Sequence, residues 1–292
     1  MAFRLGWLRQ HVASLRALLV LTVMSILFAI AVTLVAQIPG LRAKADGSLV
    51  SYHGRVVGSA LIGQLFSDAK GNPLPQYFQP RPSSSDYDGT ESGASNLGPE
   101  SIVDTLADPA VKGSTLTPSL LTQVCTLSMQ VGAFNGVDGR RPYCTAAGVG
   151  AVLSVIRIGG FTGKVVRVVS VNQECPASPF IARYDGVAVQ CATYGVNYRV
   201  GQLVLVHGPG KGAGNPVPPD AVTTSGSALD PDISVDYALL QVNRVATARG
   251  LSPAVVRALV QTHVVHRALG VMGNPFVDVL TLNIALDQLP VH

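Results

Sequence analysis

An uncharged apolar stretch from Ala17 to Ala36, ALLVLTVMSILFAIAVTLVA, limits what this chain can fold into more than any other segment. A helix of about twenty residues rises roughly 30 Å, which matches the hydrocarbon thickness of a bilayer. Three hydroxyl side chains, Thr22, Ser25 and Thr33, are too few to make a polar helix face. The sequence therefore predicts one transmembrane helix over residues 17–37.

A cleaved signal peptide is the alternative interpretation of the same stretch, because Ala43-Lys44-Ala45 has the A-x-A form of a cleavage site. The apolar part of a signal peptide is usually about 7–15 residues, whereas this one is longer and ends well before the alanines. The anchor interpretation is therefore favoured. Basic residues also suggest its orientation, because residues 1–16 form a basic arm that predicts a cytoplasmic N-terminus. The bias is weak, since two basic residues follow the stretch closely: Arg4, Arg9 and Arg16 precede it, and Arg42 and Lys44 come after it.

All four cysteines lie in one segment, between residues 120 and 195: Cys125, Cys144, Cys175 and Cys191. Their spacing is too wide for a C-x-x-C zinc or redox motif. An even number confined to one segment predicts two disulfides in an oxidising compartment, with three connectivities left open. Four reduced core cysteines in a cytosolic protein are the alternative. Together with the charge bias, the cysteines favour a single-pass cell membrane protein whose bulk is extracytoplasmic.

The formal net charge of +4 is spread along the 292 residues without a cluster of lysine and arginine. Nucleic-acid binding therefore has no support in the sequence. Residues 47–66 alternate apolar and polar side chains around glycines, which predicts a hairpin with His53 in or near its turn. Residues 67–99 are rich in Gly, Pro, Ser, Asp and Asn, which predicts a long extended loop. Within it, Arg81 stands between two prolines and is expected to contact a partner or the protein's own carboxylates.

The segment 106–212 predicts an inserted antiparallel β domain held together by the disulfides. Its strands are expected at 149–158, 164–171, 187–193 and 198–206, with a further possible strand at 123–131. The following GPGKGAG run resembles a phosphate loop, but it fails the G-x-x-x-x-G-K-[ST] spacing. It predicts a flexible linker.

Helices return in the C-terminal third of the chain. Ser234 is a predicted N-cap for a helix that ends at Arg249 before Gly250. Ser252-Pro253 starts a second predicted helix that runs to Leu269, with one buried face, and a short strand and a final helix follow within 276–289. The predicted buried face comprises Val255, Val256, Leu259, Val260 and His263. His263 and His266 are three apart, but no carboxylate follows at a useful spacing, so no metal site is predicted. The fold class is α+β: one transmembrane helix, then a mixed domain interrupted by the β insert.

Six ordered segments of this sequence resemble the C subunit of Kdp-type potassium-transporting P-type ATPases, the KdpC family. They are GSALIGQLF (58–66), YFQPRP (77–82), GASNLGP (93–99), TTSGSALDPDIS (223–234), QVNRVATAR (241–249) and FVDVLTLNIALD (276–287). The resemblance covers about 1–105 and 215–289, so that 38–105 together with 213–292 form the KdpC-like domain. Two departures stand out. The insert occupies a place where the family usually has a short helical segment, and Pro80 replaces a glycine before Arg81.

The resemblance implies an accessory role in a high-affinity, ATP-driven potassium importer. Its implied partners are a potassium-channel-like subunit, a P-type catalytic subunit and the lipid bilayer. The chain has no D-K-T-G-T phosphorylation motif and no filter motif, so the sequence predicts a non-catalytic subunit. Residues expected to contact the partners are Arg81, Asn96 and Arg244 in the domain, and Ser25, Ala29 and Ala31 in the anchor.

ATP is a ligand that the family resemblance implies, and no intrinsic cofactor is predicted. The expected nucleotide contacts are Gln241 and the backbone of Ser225, Gly226 and Ser227. The alternative is that Ser225 and Asp230 organise a turn while Gln241 makes an interhelical hydrogen bond. An outward-facing domain, which cytosolic ATP cannot reach, favours this alternative.

Two further functions stay open from the sequence. A hydrolase would need Ser225 or Ser227 with Asp230 and one of the histidines His207, His263 and His266, but no G-x-S-x-G motif is present. The β insert could instead act as an extracytoplasmic binding module, and this is the alternative to the accessory role.

Overall fold

The computed structural model describes residues 2–208 and 217–290. The chain divides into two compact units, with the boundary in the sequence between Leu61 and Ile62. Most of the predicted GPGKGAG linker lies outside the described residues. The first unit holds helix α1, a short helix α2 and a two-stranded hairpin. Their bounds are Ala2–Ala36 for α1, Arg42–Ala45 for α2, Leu49–Tyr52 for β1 and Arg55–Ser59 for β2.

Helix α1 contains the predicted membrane span, and its residues Trp7–Ala36 are long and apolar enough to cross a bilayer. The helix already begins at Ala2, so the predicted basic arm belongs to the same helix as the predicted span. Thr22, Ser25 and Thr33 each donate a hydrogen bond of 2.8 Å to the carbonyl four residues earlier. These hydroxyls are therefore satisfied within the helix, as an apolar environment requires.

The hairpin predicted within residues 47–66 is confirmed, since β1 and β2 pair antiparallel. His53 and Gly54 lie in its turn with φ of 49° and 75°. Two successive positive φ angles are typical of the turns that match the twist of a hairpin. His53 is thus a turn residue.

The second unit combines helices with a five-stranded sheet. Its helices are α3 (Leu120–Asn135), α4 (Val235–Arg249), α5 (Pro253–Thr262) and α6 (Val279–Asp287), and its strands are β3 (Val152–Ile158), β4 (Lys164–Glu174), β5 (Arg183–Tyr184), β6 (Val187–Ala192), β7 (Gln202–Leu205), β8 (Asp232–Ser234) and β9 (Phe276–Asp278). The predicted α+β class with an N-terminal apolar helix is confirmed. Helix α4 lies at the centre of the main core, where its Ala238, Val242 and Val245 are completely buried.

The sheet has the order β5-β6-β4-β3-β7. The four predicted strands are confirmed with shifts of a few residues at their ends. The prediction of a wholly antiparallel insert is wrong in one place, because β4 and β6 pair parallel. The reason is that β5 lies between β4 and β6 in the chain. After β4 ends at Glu174 the chain forms β5, which pairs antiparallel with the outer edge of β6, so that β6 runs in the same direction as β4.

The possible strand at 123–131 is wrong, because these residues lie in helix α3. The apolar side chains Val124, Leu127 and Val131 recur at helical spacing and pack against the main core. Ser119 caps the helix through the Thr122 N–H, and Gly136 ends it in the left-handed conformation. A helix of the inserted segment therefore contributes to the core that surrounds α4.

Helix α5 ends at Thr262, so the prediction that it runs to Leu269 is wrong. His263 is the C-cap residue of α5, and its ring Nδ1 lies 2.8 Å from the Leu259 carbonyl oxygen. After His263 the chain is no longer helical, and the backbone of Val265 exchanges hydrogen bonds with that of Phe276. On the buried face, Val256 and Val260 are confirmed, whereas Val255 is 45% exposed.

Candidate functional site

Two buried amide side chains fix the loop that carries the YFQPRP motif. Asn283 of α6 accepts from the Phe78 N–H at 2.9 Å and donates to the Phe78 carbonyl at 2.9 Å. Gln241 of α4 repeats this pattern with Gln79, at 2.7 and 3.0 Å. Both amides are almost fully buried, and Phe78 is completely so. Each amide thus acts on the loop backbone as a neighbouring strand would, and we call Phe78, Gln79, Gln241, Arg244 and Asn283 the loop clamp.

Arg244 completes the loop clamp and joins three segments of the chain. Its guanidinium donates to the carbonyls of Pro75 and Tyr77 in the loop and to Oδ1 of Asn135 at the end of α3. It also bonds Oε1 of Gln241 at 2.6 Å and lies 4.3 Å over the Phe134 ring. Burial lowers the pKa of this guanidinium to about 10. Arg244 therefore holds the loop, α3 and α4 together from a half-buried position.

Arg81 ties the other end of the loop to the turn at 223–230. Its Nη1 lies 3.1 Å from Oδ2 of Asp230, and its Nη2 donates to the carbonyls of Thr223 and Thr224. The sequence predicts that Arg81 contacts either a partner or a carboxylate of the protein itself, and in the structure it contacts the carboxylate of Asp230. The same loop borders an apolar groove of about 590 Å³, whose far wall is α3 with Leu127 and Phe134.

The expected nucleotide contacts fall into two separate groups. Ser225 and Ser227 lie in the turn, where their hydroxyls accept from the backbone N–H groups of Asp230 and Leu229, and Gly226 is exposed beside them. Gln241 is buried in α4, and both polar atoms of its amide are engaged by Gln79. ATP binding stays a prediction, and a nucleotide at Gln241 would have to displace the Gln79 backbone.

The histidines considered for a hydrolase have other contacts. The His207 ring packs on Tyr143 with centroids 4.7 Å apart, and His263 contacts the Leu259 carbonyl. His266 is exposed in the loop after α5. Within residues 2–208 and 217–290, no group of three or more His, Cys, Asp or Glu side chains is arranged to hold a metal.

The remaining predicted contact residues are on the surface. Asn96 is exposed with φ of 55°, a conformation that asparagine tolerates well. Ser25 and Ala29 are exposed on α1 and, being four residues apart, share one face of the helix. Ala31 is also exposed, but it lies on a different face.

The structure selects one of the three possible disulfide connectivities. Cys125 pairs with Cys144, and Cys175 pairs with Cys191. The first disulfide ties α3 to the segment that leads into β3. The second joins the end of β4 to β6, next to the parallel pairing.

Three aspartates meet where β8 and β9 pair, and sequence reasoning missed this cluster. Asp232 lies opposite Asp278 in the strand register, and its N–H donates to Oδ1 of Asp230 at 3.1 Å. Burial, followed by the charges of Asp230 and Asp278, raises the pKa of Asp232 to about 6. Arg81 pairs with Asp230, and the Thr281 N–H donates to Asp278. These contacts stabilise the charged forms of Asp230 and Asp278, so Asp232 is the carboxylate whose pKa is raised.

Replacing Asp232 with asparagine should stabilise the protein at pH 7. A folded-state pKa above the ordinary 3.8 means that the folded state binds a proton more tightly than the unfolded chain. Wild-type stability should therefore fall as the pH rises from about 4 to about 6, and D232N should lose that dependence. After allowance for solvent screening of this half-exposed group, the gain at pH 7 should be about 1 kcal/mol.

The measurement is urea unfolding in mild detergent at pH 4 and pH 7. Asp86→Asn is the matched control, since Asp86 is exposed and an amide fits its φ of 50°. A D232N variant that is less stable than wild type at pH 7, or that keeps the full pH dependence, would contradict the assignment.

About two thirds of this chain matches a known protein family. The family model of the c chain of the K⁺-transporting ATPase, KdpC, matches residues 11–109 and 195–288. The chain belongs to the KdpC family. A potassium-transporting ATPase KdpC subunit of Kineococcus radiotolerans is 34% identical over 282 residues, covering 96% of this chain and 93% of the relative. A KdpC subunit of Streptomyces coelicolor is 33% identical over 96% of this chain and 93% of its own length.

The KdpC family match contains the apolar stretch of α1 and every residue of the loop clamp, but it leaves out residues 110–194. The alignments with the Kineococcus and Streptomyces relatives run across 96% of this chain, so they extend through the insert. A segment in this position is therefore shared with relatives of similar length. Sequence reasoning singled out Gln241 and Arg244 but missed the other three clamp residues. Phe78 and Gln79 lie in the YFQPRP block, and the third is Asn283. It lies in the FVDVLTLNIALD block, where nothing local marks an amide as a loop ligand.

Proposed function

We propose that this chain is a non-catalytic, single-span accessory subunit that assembles or stabilises a high-affinity, ATP-driven potassium import complex. Membership of the KdpC family supports this, since its relatives are named as subunits of a potassium-transporting ATPase. The observation that carries the proposal is that the family match includes both the membrane anchor and the loop clamp. The proposed topology places the N-terminus in the cytoplasm and the domain on the extracytoplasmic side.

The proposed partners are a potassium-channel-like subunit and a P-type catalytic subunit. In the anchor, Ser25 and Ala29 form a face of small side chains that Thr22 and Thr33 extend at spacings of three and four residues. Small residues let two membrane helices approach closely. In the domain, Asn96 is available for contact, whereas Arg81 and Arg244 act indirectly by holding the loop.

The test is affinity purification of the tagged full chain from potassium-starved cells in mild detergent. A channel-like protein and a P-type ATPase should co-purify with it. Ala29→Leu should reduce the yield of both partners about tenfold, because a bulky side chain prevents close packing of the helices. Ala31 lies on a different face of α1 from Ala29, so the two cannot pack against the same helix, and we no longer expect Ala31 to contact the partner. Ala31→Leu should therefore leave the yield unchanged.

Recovery of the chain without either protein would overturn the accessory role and favour the β insert as a binding module. Deleting residues 110–210 is a poor test of that alternative. The deletion removes α3, whose Leu127 and Val131 pack against the main core. A deletion restricted to the sheet, which leaves α3 in place, separates the two functions more cleanly.

A further inference from the structure

Between α5 and β9 the chain forms a protruding hairpin, which we call the tip hairpin and define as residues 265–276. Val265 and Phe276 exchange two backbone hydrogen bonds, of 2.8 and 3.1 Å, at its base. Ala268 and Met272 exchange two more, both 2.9 Å, next to the turn. Four backbone bonds give the hairpin a defined shape although it lies outside the core.

The tip hairpin carries apolar side chains into solvent. Every residue from Val265 to Asn274 is exposed. Leu269 is 88% exposed, Val271 75% and Met272 57%. Three large apolar side chains at one tight turn are unusual for a surface that contacts only water.

Arg267 is the one Lys, Arg, Asp or Glu within the tip hairpin, and the exposed acidic side chain of Asp236 lies at its base, where it lines a groove with His266, Asn274 and Pro275. From residue 237 to residue 277 the sequence contains no aspartate or glutamate, while Arg257 and Arg267 are exposed. The tip itself therefore combines apolar side chains with one positive charge, while the acidic side chain is at the base. Apolar side chains beside an arginine that can reach the headgroups are typical of segments that lie in a bilayer interface.

We propose that the tip hairpin inserts Leu269, Val271 and Met272 into the bilayer interface, with Arg267 beside the lipid headgroups. The inference goes beyond the accessory role and rests only on membrane anchorage by α1. Because α1 and the hairpin belong to one chain, an anchored protein meets lipid at a high effective concentration, and weak insertion is enough. The span in the same chain, together with the Arg267 charge next to the apolar tip, favours an anionic lipid surface over the surface of a second protein.

The experiment places a fluorescent reporter in the tip of the full-length chain. Trp7, the single tryptophan, is replaced by phenylalanine, and Val271→Trp is introduced. The protein is reconstituted in vesicles of phosphatidylcholine and phosphatidylglycerol, with or without brominated acyl chains. Insertion predicts a blue-shifted emission and quenching by brominated lipid about twofold or more above that of Val111→Trp. Val111 is the control because it is 56% exposed and lies on a loop with Asp108 nearby.

A second substitution in the reporter background separates insertion from folding. Leu269→Asn removes an apolar side chain and suits the φ of 53° at this position. It should reduce the quenching of the Val271→Trp reporter to the level of the control. Equal quenching of the two reporters, in a chain that still floats with the vesicles, would overturn the tip proposal and leave the anchored subunit intact.

Two other outcomes also contradict insertion. Shielding of the tip reporter from aqueous iodide that appears only when the partner subunits are added, without quenching by brominated lipid, would assign the hairpin to a protein contact. A chain that does not float with vesicles would overturn the membrane anchorage itself, and with it both proposals.

Discussion

Replacing Gln241 with alanine should lower the free energy of unfolding by about 4 kcal/mol. The substitution leaves the N–H and the carbonyl of Gln79 without their partners, and it removes one contact of Arg244. It also opens a cavity in a completely buried part of α4. A buried polar group that loses its hydrogen bond retains its full desolvation penalty, which is why this effect exceeds that of an ordinary truncation.

Asn243→Ala is the matched control for the Gln241 substitution, because Asn243 is an exposed amide on the same helix. It should change the stability by less than about 0.5 kcal/mol. Urea unfolding of the full chain in mild detergent measures the free energy of unfolding of both variants. If the Gln241 variant is already unfolded when it is purified, its rapid cleavage in limited proteolysis shows the loss of stability instead. An unchanged stability together with a lost affinity for ATP would instead support the predicted nucleotide role of Gln241.

Replacing Arg244 with methionine should cost about 3 kcal/mol. Methionine fills much of the same volume, but the Pro75 carbonyl loses its donor, the Tyr77 carbonyl keeps only the longer bond from Gln79, and the Phe134 ring loses its cation. The bonds that Arg244 makes from α4 to the loop and to Asn135 of α3 disappear together. Because the loop loses two of its hydrogen bonds and keeps those made by the two amides, Arg81 and Arg249, protease cleavage within residues 67–82 should become faster as well.

Two comparisons make the Arg244 experiment specific. Arg257→Met removes an exposed arginine from α5 and should leave stability nearly unchanged. Arg244→Lys keeps the charge but cannot reproduce the forked donors of a guanidinium, so its loss should be intermediate. If Arg244→Lys matched wild type, the charge alone would explain the role of Arg244, and the geometry of the bonds would not.

The structure also explains which sequence predictions succeed. Helix α4 was predictable at both ends, since Ser234 caps it and Gly250 ends it in the left-handed conformation. Helix α3 carried the same signals, Ser119 before it and Gly136 after it. There the alternation of apolar and polar residues at 123–131 obscured the helical spacing. The end of α5 depends on backbone pairing between Val265 and Phe276. No glycine or proline directly after Thr262 indicates in the sequence that the helix ends there.

The candidate site was less predictable than the fold for a physical reason. The resemblance pointed to Arg81, Gln241 and Arg244 as important residues, but their contacts join positions between 109 and 169 residues apart in the chain. An amide that binds a distant backbone leaves no periodic pattern in the sequence. Asn283, which acts across 205 residues, therefore gave no signal of its own. The raised pKa of Asp232 likewise depends on a strand pairing that brings Asp278 opposite to it.

The two amides of the loop clamp bind the main chain of Phe78 and Gln79, and the next contact is made by the side chain of Arg81. Residue 80 supplies none of these hydrogen bonds, so a proline, which has no N–H, can stand there in place of the glycine that the family resemblance leads us to expect. The clamp thus tolerates substitution at this position but not a change in spacing. A single-residue insertion or deletion between Phe78 and Arg81 should be more damaging than replacement of Pro80, and loop redesigns should vary residue identity while keeping length.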